Sequence, residues 1–350
     1  MLADIVDAVI GVDTHRDAHQ VEIAHPTGTS IATCSIRNTS SGYAQLLAWI
    51  GEHAPGPRWV ASIEGTRSYG AGLARALTAT GILVVECEQP NRKARRGKGK
   101  SDPIDAHLAV LTALQLPADR LPTPRADGDR EALRILLCAR SELTTTLTGQ
   151  TNRLRALLRD GDDYDRELAR GRLNDATLAD LPRRTTADGA TRDQVIRQAE
   201  IRRLALALRA GRRDLKANHS QLQAIVDDVA PGLTNQPGIG PVCAAQVIVS
   251  FSHPERCRND AAFAALAGTN PIEASSGRTV RHRLNRGGDR ALNSAIHTIA
   301  MTRMRCCPTT RAYVARRTAQ GRTSREIRRC LKRYITRQLY RTLSTAMTSA

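Results

Sequence analysis

Aromatic residues are scarce in this 350-residue chain, which has two Trp, six Tyr and two Phe, together 3%. Proteins whose main mode of recognition is base stacking need aromatic platforms, so that mode is excluded as the principal one. Long apolar runs are missing as well. No stretch of eighteen or more apolar residues occurs, which removes a membrane-spanning helix from consideration. The N-terminal Met-Leu-Ala-Asp-Ile-Val-Asp carries two acids and lacks the basic, apolar and small-residue order of a secretory signal, so a cytoplasmic location is expected. The eight cysteines, at 34, 87, 138, 243, 257, 306, 307 and 330, contain no CxxC pair. They read as reduced thiols, and the adjacent Cys306 and Cys307 suit a zinc site poorly.

Acids are in deficit. Lys and Arg number 52 against 34 Asp and Glu, a net charge of +18 and a sequence pI of about 10.4. Such an excess favours a polyanion, because each neutralised phosphate releases counterions. Nucleic acid is the expected partner, and an anionic membrane is not, since no strongly amphipathic basic helix with large apolar anchors stands out. Hydrophobic residues at 41% and charged residues at 25% are the balance of a soluble globular protein. At this length two domains are expected, with a helical insert between them.

Along residues 1–125 the pattern is α/β. Ala8 to Val12, Gln20 to Ala24 and Ile31 to Ile36 read as a three-stranded meander, and a helix follows with Tyr43, Leu46, Leu47 and Ile50 on one face after Ser40 and Ser41 as N-caps. Trp59 to Ile63 reads as a strand, Tyr69 to Ala79 as a helix and Ile82 to Cys87 as a strand. The segment 91–100 holds Arg92, Lys93, Arg95, Arg96, Lys98 and Lys100 with no acid and two glycines. It predicts a loop that contacts nucleic acid. Next comes a helix from Asp102 with Leu108, Leu111 and Leu114.

Residues 126–232 change character. Leu136, Leu143, Leu147, Leu154 and Leu157, then Ile201, Leu204, Leu208, Leu215, Leu222 and Val229, recur at spacings of three, four and seven. Two long helices in an antiparallel coiled coil are expected, within one chain or against a second protomer, with residues 160–189 as the connecting tip. Residues 233–350 predict a compact, mostly helical domain. Between Arg303 and Arg341 twelve arginines and one lysine face the single acid Glu326, so one surface must be strongly positive.

Four acids carry the chemistry. Asp13 ends the first strand in Val-Ile-Gly-Val-Asp-Thr, and Glu64 ends a later one in Val-Ala-Ser-Ile-Glu-Gly-Thr. Asp102 and Asp105 lie three residues apart, on one face of a helix. Converging carboxylates suit two-metal phosphoryl chemistry, with Mg²⁺ as the preferred ion. Taken singly, Asp102 also reads as a helix cap before Pro103, and Asp13 as a turn residue. His15, Asp17, His19 and His107 lie close to these acids in sequence. Thr14 and His15 are positioned to touch substrate or to serve as surface residues. Gly-Ile-Gly at 238–240 has the form of a helix-hairpin-helix turn, whose backbone N–H groups can meet a phosphate or simply pack two helices.

Gly-Val-Asp-Thr at 11–14, Ile-Glu-Gly-Thr at 63–66 and Ser-Asp-Pro-Ile-Asp-Ala at 101–106 resemble the DEDD domain of the insertion-sequence one-hundred-and-ten family of transposases, also called bridge-RNA-guided recombinases. Gln-Pro-Gly-Ile-Gly-Pro at 236–241 and Phe-Ala-Ala-Leu-Ala-Gly-Thr-Asn-Pro at 263–271 resemble that family's C-terminal transposase domain. The resemblance covers nearly the whole chain. It implies a RuvC-like, RNase H-type fold in front, a coiled-coil insert, and a C-terminal serine that attacks DNA to form a 5′-phosphoserine link. In Glu273-Ala274-Ser275-Ser276-Gly277 it assigns that role to Ser276, with Ser275 the neighbour to separate from it. A serine needs an activator, so the resemblance also implies a composite site, shared between protomers of a dimer or tetramer. Arg278, Arg281, Arg283, Arg286 and Arg290 follow as contacts for nucleic-acid backbone.

Three readings therefore stand: a recombinase that cuts and rejoins donor and target DNA, a junction-resolving nuclease in which water attacks, and a non-enzymatic nucleic-acid scaffold. The resemblance further implies a structured non-coding guide RNA that selects both DNAs by pairing. Such a protein would rely on shape and backbone contacts, in keeping with abundant arginine and few aromatics.

Overall fold

The computed structural model describes residues 1–87, 102–118, 121–125, 127–186, 188–275 and 282–348, and for Asp102 and Pro103 the backbone alone. The chain divides into two compact units, Met1–Arg125 and Ala126–Ala350.

The first unit is a five-stranded sheet. Strands β1 (Ala8–Thr14), β2 (Ala18–Ala24) and β3 (Ser30–Arg37) form an antiparallel meander, while β4 (Trp59–Glu64) and β5 (Leu83–Cys87) run parallel to β1, giving the order β3-β2-β1-β4-β5. Helices α1 (Ser40–His53) and α2 (Ala71–Ala79) cover one face with Leu46, Ile50, Leu73 and Leu77 packed on Ile10, Val12, Ile23 and Ile63. Helix α3 (Asp102–Leu114) covers the other, where Val110 and Ala113 meet Val9, Ala24, Val60 and Val85. Coverage on both faces explains why Ala8 to Val12 is apolar without alternation.

Gly11 lets α3 lie close. A Cβ on it would stand 2.2 Å from the Ala106 carbonyl oxygen and 2.6 Å from a Val110 methyl, so any other residue would push the helix off the sheet. The cap of α1 differs from expectation. Thr39, not Ser40 or Ser41, accepts the Gly42 N–H at 3.2 Å, because its extended backbone aims the hydroxyl into the first turn.

In the second unit, α4 (Asp129–Arg159) and α7 (Arg192–Val229) lie antiparallel: Arg140 donates to the Leu215 carbonyl, Asn218 donates to the Leu136 carbonyl, and Gly211 abuts Leu147. The segment between them is more ordered than a simple tip. It forms α5 (Asp163–Arg170) and α6 (Asp175–Asp180), and Ala169, Leu173, Leu178 and Leu181 build a small core on Leu154, Leu158, Ile201 and Leu208. These apolar positions sit among many charges, which hid them in the sequence.

Helix α8 (Pro241–Phe251) is apolar nearly all round and becomes the central helix. Around it pack α4, α7, α10 (Arg290–Cys306) and α12 (Ser324–Thr348), with α9 (Asp260–Leu266) against α12 and α11 (Pro308–Ala319) between α10 and α12. The scarce aromatics are spent here: Phe251 and Phe263 meet edge to face at 5.6 Å, and Tyr340 packs on both while donating to the Cys257 carbonyl at 3.0 Å. Two short strands, β6 (Pro271–Glu273) and β7 (His282–Leu284), pair antiparallel.

Candidate active site

Asp13 and Glu64 reach the same rim by register. Val12 pairs with Ile63 in the parallel ladder, so the next residues, Asp13 and Glu64, stand side by side at the carboxyl ends of β1 and β4. Side chains alternate along a strand. Asp13 therefore shares its face with Val9 and Gly11, and Glu64 with Val60 and Ser62. That is the face under α3, as the Ser62 hydroxyl confirms by donating to the Ala109 carbonyl at 2.8 Å. Asp105 lies in the first turn of α3, one residue before the carbonyl that touches Gly11. Asp13 is 7% exposed and Asp105 9%.

The surrounding contacts hold this rim in shape. His15 Nε2 lies 3.2 Å from Asp13 Oδ2, and the Thr14 hydroxyl donates to the Glu64 carbonyl at 2.8 Å, tying the two strand ends together. The His15 backbone N–H donates to His19 Nδ1 at 3.3 Å, which fixes the turn after Asp13. His19 is fully buried and stacks on Tyr43 at 6.3 Å. Burial pushes its pKa below the ordinary value, so the ring stays neutral and Nδ1 remains an acceptor. Gly65 takes φ +72°, and a Cβ there would stand 2.8 Å from the Thr14 hydroxyl, which explains the glycine after Glu64. Thr66, two residues beyond Glu64, is 7% exposed, and its hydroxyl has no hydrogen-bond partner among the described residues.

One pair was missed in the sequence. Glu22 on β2 sits opposite Gly11, is 4% exposed, and meets His107 Nδ1 of α3 at 2.8 Å. Glu22 lies on the sheet face that α3 covers, and the helix brings its partner. Asp17, by contrast, is an exposed residue held by Arg16.

Asp13, Glu64 and Asp105 offer carboxylate oxygens, the donor class that a hard divalent cation takes, and Asp13 and Asp105 are buried. Among the described residues no group of three His, Cys, Asp or Glu is close enough to hold a metal. The side chain of Asp102 lies outside the described residues, although its backbone opens α3.

In the second unit Ser275 is exposed just after β6, while Ser276, Arg278 and Arg281 lie outside the described residues, as do Arg92, Lys93, Arg95, Arg96, Lys98 and Lys100. Arg283 on β7, Arg286 and Arg290 at the start of α10 are all exposed. The Gly-Ile-Gly turn is braced from α10, where Arg303 Nε donates to the Pro237 carbonyl at 2.7 Å. Gly238, at φ +77°, leaves room for the Ile299 carbonyl. Gly240 and Pro241 then start α8 without a side-chain cap.

Comparison with known proteins places these features. Residues 10–161 match a family model described as a transposase, named for the DEDD domain of IS110, and residues 230–315 match the transposase model of the IS116/IS110/IS902 family. A Streptomyces coelicolor protein named as the mini-circle transposase candidate for IS117 is 26% identical across 99% of this chain and 96% of its own length. The 44.8 kDa protein of insertion element IS116 from Streptomyces clavuligerus is 24% identical over 89% of this chain and 88% of its own. The 43.6 kDa protein of insertion element IS110 from Streptomyces coelicolor is 32% identical over a shorter stretch, 34% of this chain and 30% of that protein. With both family models matched in order and relatives aligned almost end to end, the chain belongs to the IS110 family of transposases.

Proposed function

We propose that this protein is a DNA recombinase that cuts and rejoins donor and target DNA, with Ser276 as nucleophile and Asp13, Glu64, Asp102 and Asp105 as the metal-binding acids. The observation that carries this reading is that Asp13 and Glu64 stand side by side where β1 and β4 end, on the sheet face that α3 covers, with Asp105 in the first turn of that helix. A β3-β2-β1-β4-β5 sheet with an antiparallel meander followed by parallel strands supports an RNase H-type, RuvC-like assignment for the first unit. The antiparallel α4–α7 pair supports the coiled-coil reading.

Two Mg²⁺ ions held by the four acids would supply Lewis-acid stabilisation of the phosphoryl group. The chain's own residues do the rest. Thr14 and His15 hold the rim, and His19 keeps the β1–β2 turn in place. The Ser276 Oγ attacks phosphorus, the Oγ–P bond forms and the P–O3′ bond breaks. The serine proton is lost to solvent or a base, and the departing O3′ takes up a proton. Rejoining is the reverse attack by a 3′-hydroxyl. The acids and the serine would come from different protomers of a dimer or tetramer, and a structured guide RNA would choose the DNAs.

The test is to incubate the purified protein and its co-purifying RNA with donor DNA, target DNA and Mg²⁺, and to look for a protein–DNA adduct that survives denaturation. An adduct that disappears in Ser276→Ala but persists in Ser275→Ala supports the reading. Cleaved DNA without an adduct would point instead to a nuclease in which water attacks. Unchanged activity in Asp13→Asn would remove the acids from the chemistry.

A further inference from the structure

A cavity of about 740 Å³ opens in the second unit between the paired strands β6 and β7 and helices α11 and α12. Its charge is one-sided. Seven Arg or Lys side chains line it against the single acid Glu326, and that acid is engaged by Arg322, at 3.5 Å, and by the Thr323 N–H. Arg337 pairs with Asp260 at 2.9 Å. That leaves Arg283, Arg317, Arg329, Lys332 and Arg333 outside ion-pair distance of any carboxylate among the described residues, with Arg329 and Arg333 only in the longer-range field of Glu326 and Asp260. A concave surface of one sign focuses the field into the cleft.

Lys332 and Arg333 are partly buried there. Lys332 Nζ donates to Asn293 Oδ1 at 2.5 Å, Arg333 donates to the Asp260 carbonyl at 3.2 Å, and burial lowers the pKa of both. Holding cations in such a place costs free energy that a bound anion offsets. Tyr334 lines the same cleft, is 55% exposed, and is braced edge to face by Tyr313 at 6.0 Å. In a chain with so few aromatics, an exposed ring inside a cationic cleft matches the pairing of stacking platform and basic groove that holds unpaired nucleotides. The cleft has the size of a small-molecule pocket, which admits a nucleotide and not the width of a duplex. Pro271 and His282, on the two strands that bound the Ser276 segment, form one wall.

We propose that this cleft binds an unpaired nucleic-acid strand, with phosphates on Arg329, Lys332 and Arg333 and one base stacked on Tyr334. The proposal rests on the reading of the chain as a nucleic-acid-processing enzyme, but its test needs no cleavage. Full-length protein in EDTA is titrated against labelled single-stranded DNA, single-stranded RNA of the same sequence, and a blunt DNA duplex, with affinity read by fluorescence anisotropy over a salt series.

Tyr334→Ala is expected to weaken single-strand binding roughly five- to a hundred-fold, leave duplex binding within about twofold, and be rescued by Tyr334→Phe. Arg329→Ala, also at an exposed position, is expected to reduce the single-strand salt slope by roughly 0.7. A loss confined to DNA or to RNA supports the cleft and identifies its polymer. Equal losses on single strand and duplex, or no loss with either variant, overturn the proposal. Because no adduct enters the readout, absence of the serine intermediate would leave this result standing, and an intact adduct with unchanged Tyr334→Ala binding would sink the cleft alone.

Discussion

Met1–Arg125 carries 13 Lys and Arg against 12 Asp and Glu, whereas Ala126–Ala350 carries 39 against 22. Six of the 13 fall in residues 91–100, so the rest of the first unit has 7 against 12. The two units solve opposite electrostatic problems. The first sets Asp13 and Glu64 side by side at the rim of a sheet face that α3 covers. The second holds a surplus of arginine and needs polyanion. A single net charge of +18 conceals this division.

Separate cores make the comparison breakable by mutation. Phe251→Ala removes the centre of the second unit's aromatic cluster and is expected to cost about 3–5 kcal/mol. Chemical denaturation followed by hydrogen exchange should show the loss in α8 and α12 with the first unit's sheet unchanged; equal loss in both units would show that their stabilities are coupled.

Metal binding should act on the other unit. With Mg²⁺ at about a hundred times its Kd, the first unit is expected to gain about 2.7 kcal/mol, read as slower exchange in β1 and β4. Asp105→Asn should abolish that gain, and an equal gain in the variant would remove Asp105 from the ion's ligands.

Gly11→Ala places a methyl against the Ala106 carbonyl and is expected to destabilise the first unit by about 1–3 kcal/mol. It should also displace Asp105 and lower Mg²⁺ affinity, measured by calorimetry. A variant as stable as the parent would mean that α3 slides without cost.

The smallest effect concerns pH. Burial depresses the His19 pKa in the folded state, so on acidification the unfolded chain takes up this proton first. His19 therefore favours folding fully above about pH 6.5 and progressively less as pH falls from there towards its folded pKa. His19→Gln should flatten the first unit's melting temperature between about pH 7.5 and 5.5, and an unchanged slope would assign the dependence to other groups.

Much of this was legible in the sequence because local rules and the final packing agree. The strands ending in Asp13 and Glu64 are apolar runs with an acid at the last position or just before it, and strand ends define a rim wherever the sheet is placed. The leucine spacing of α4 and α7 survives as their contact. What misled was context. Glu22 carried no signal, because alternation along β2 does not say how many faces of a sheet are covered. Residues 160–189 read as a tip because their four buried apolar side chains, Ala169, Leu173, Leu178 and Leu181, are outnumbered by charges. Ser40 and Ser41 read as caps because the choice among Thr39 and its neighbours depends on one residue's backbone angles.

Composition and residue order by themselves determined that the chain carries a large surplus of cations, that Asp13 and Glu64 close apolar runs, and that two long leucine-spaced segments follow the first region. These are properties of local spacing and of charge count, and they do not change with the fold. The tertiary structure alone decided that Glu22 would meet His107, that Gly11 would admit α3, and that arginines from α11, α12 and β7 would converge on one cleft beside Tyr334. Those pairings join residues far apart in the chain, and only the packing of helices on a sheet or on α8 brings such residues within bonding distance.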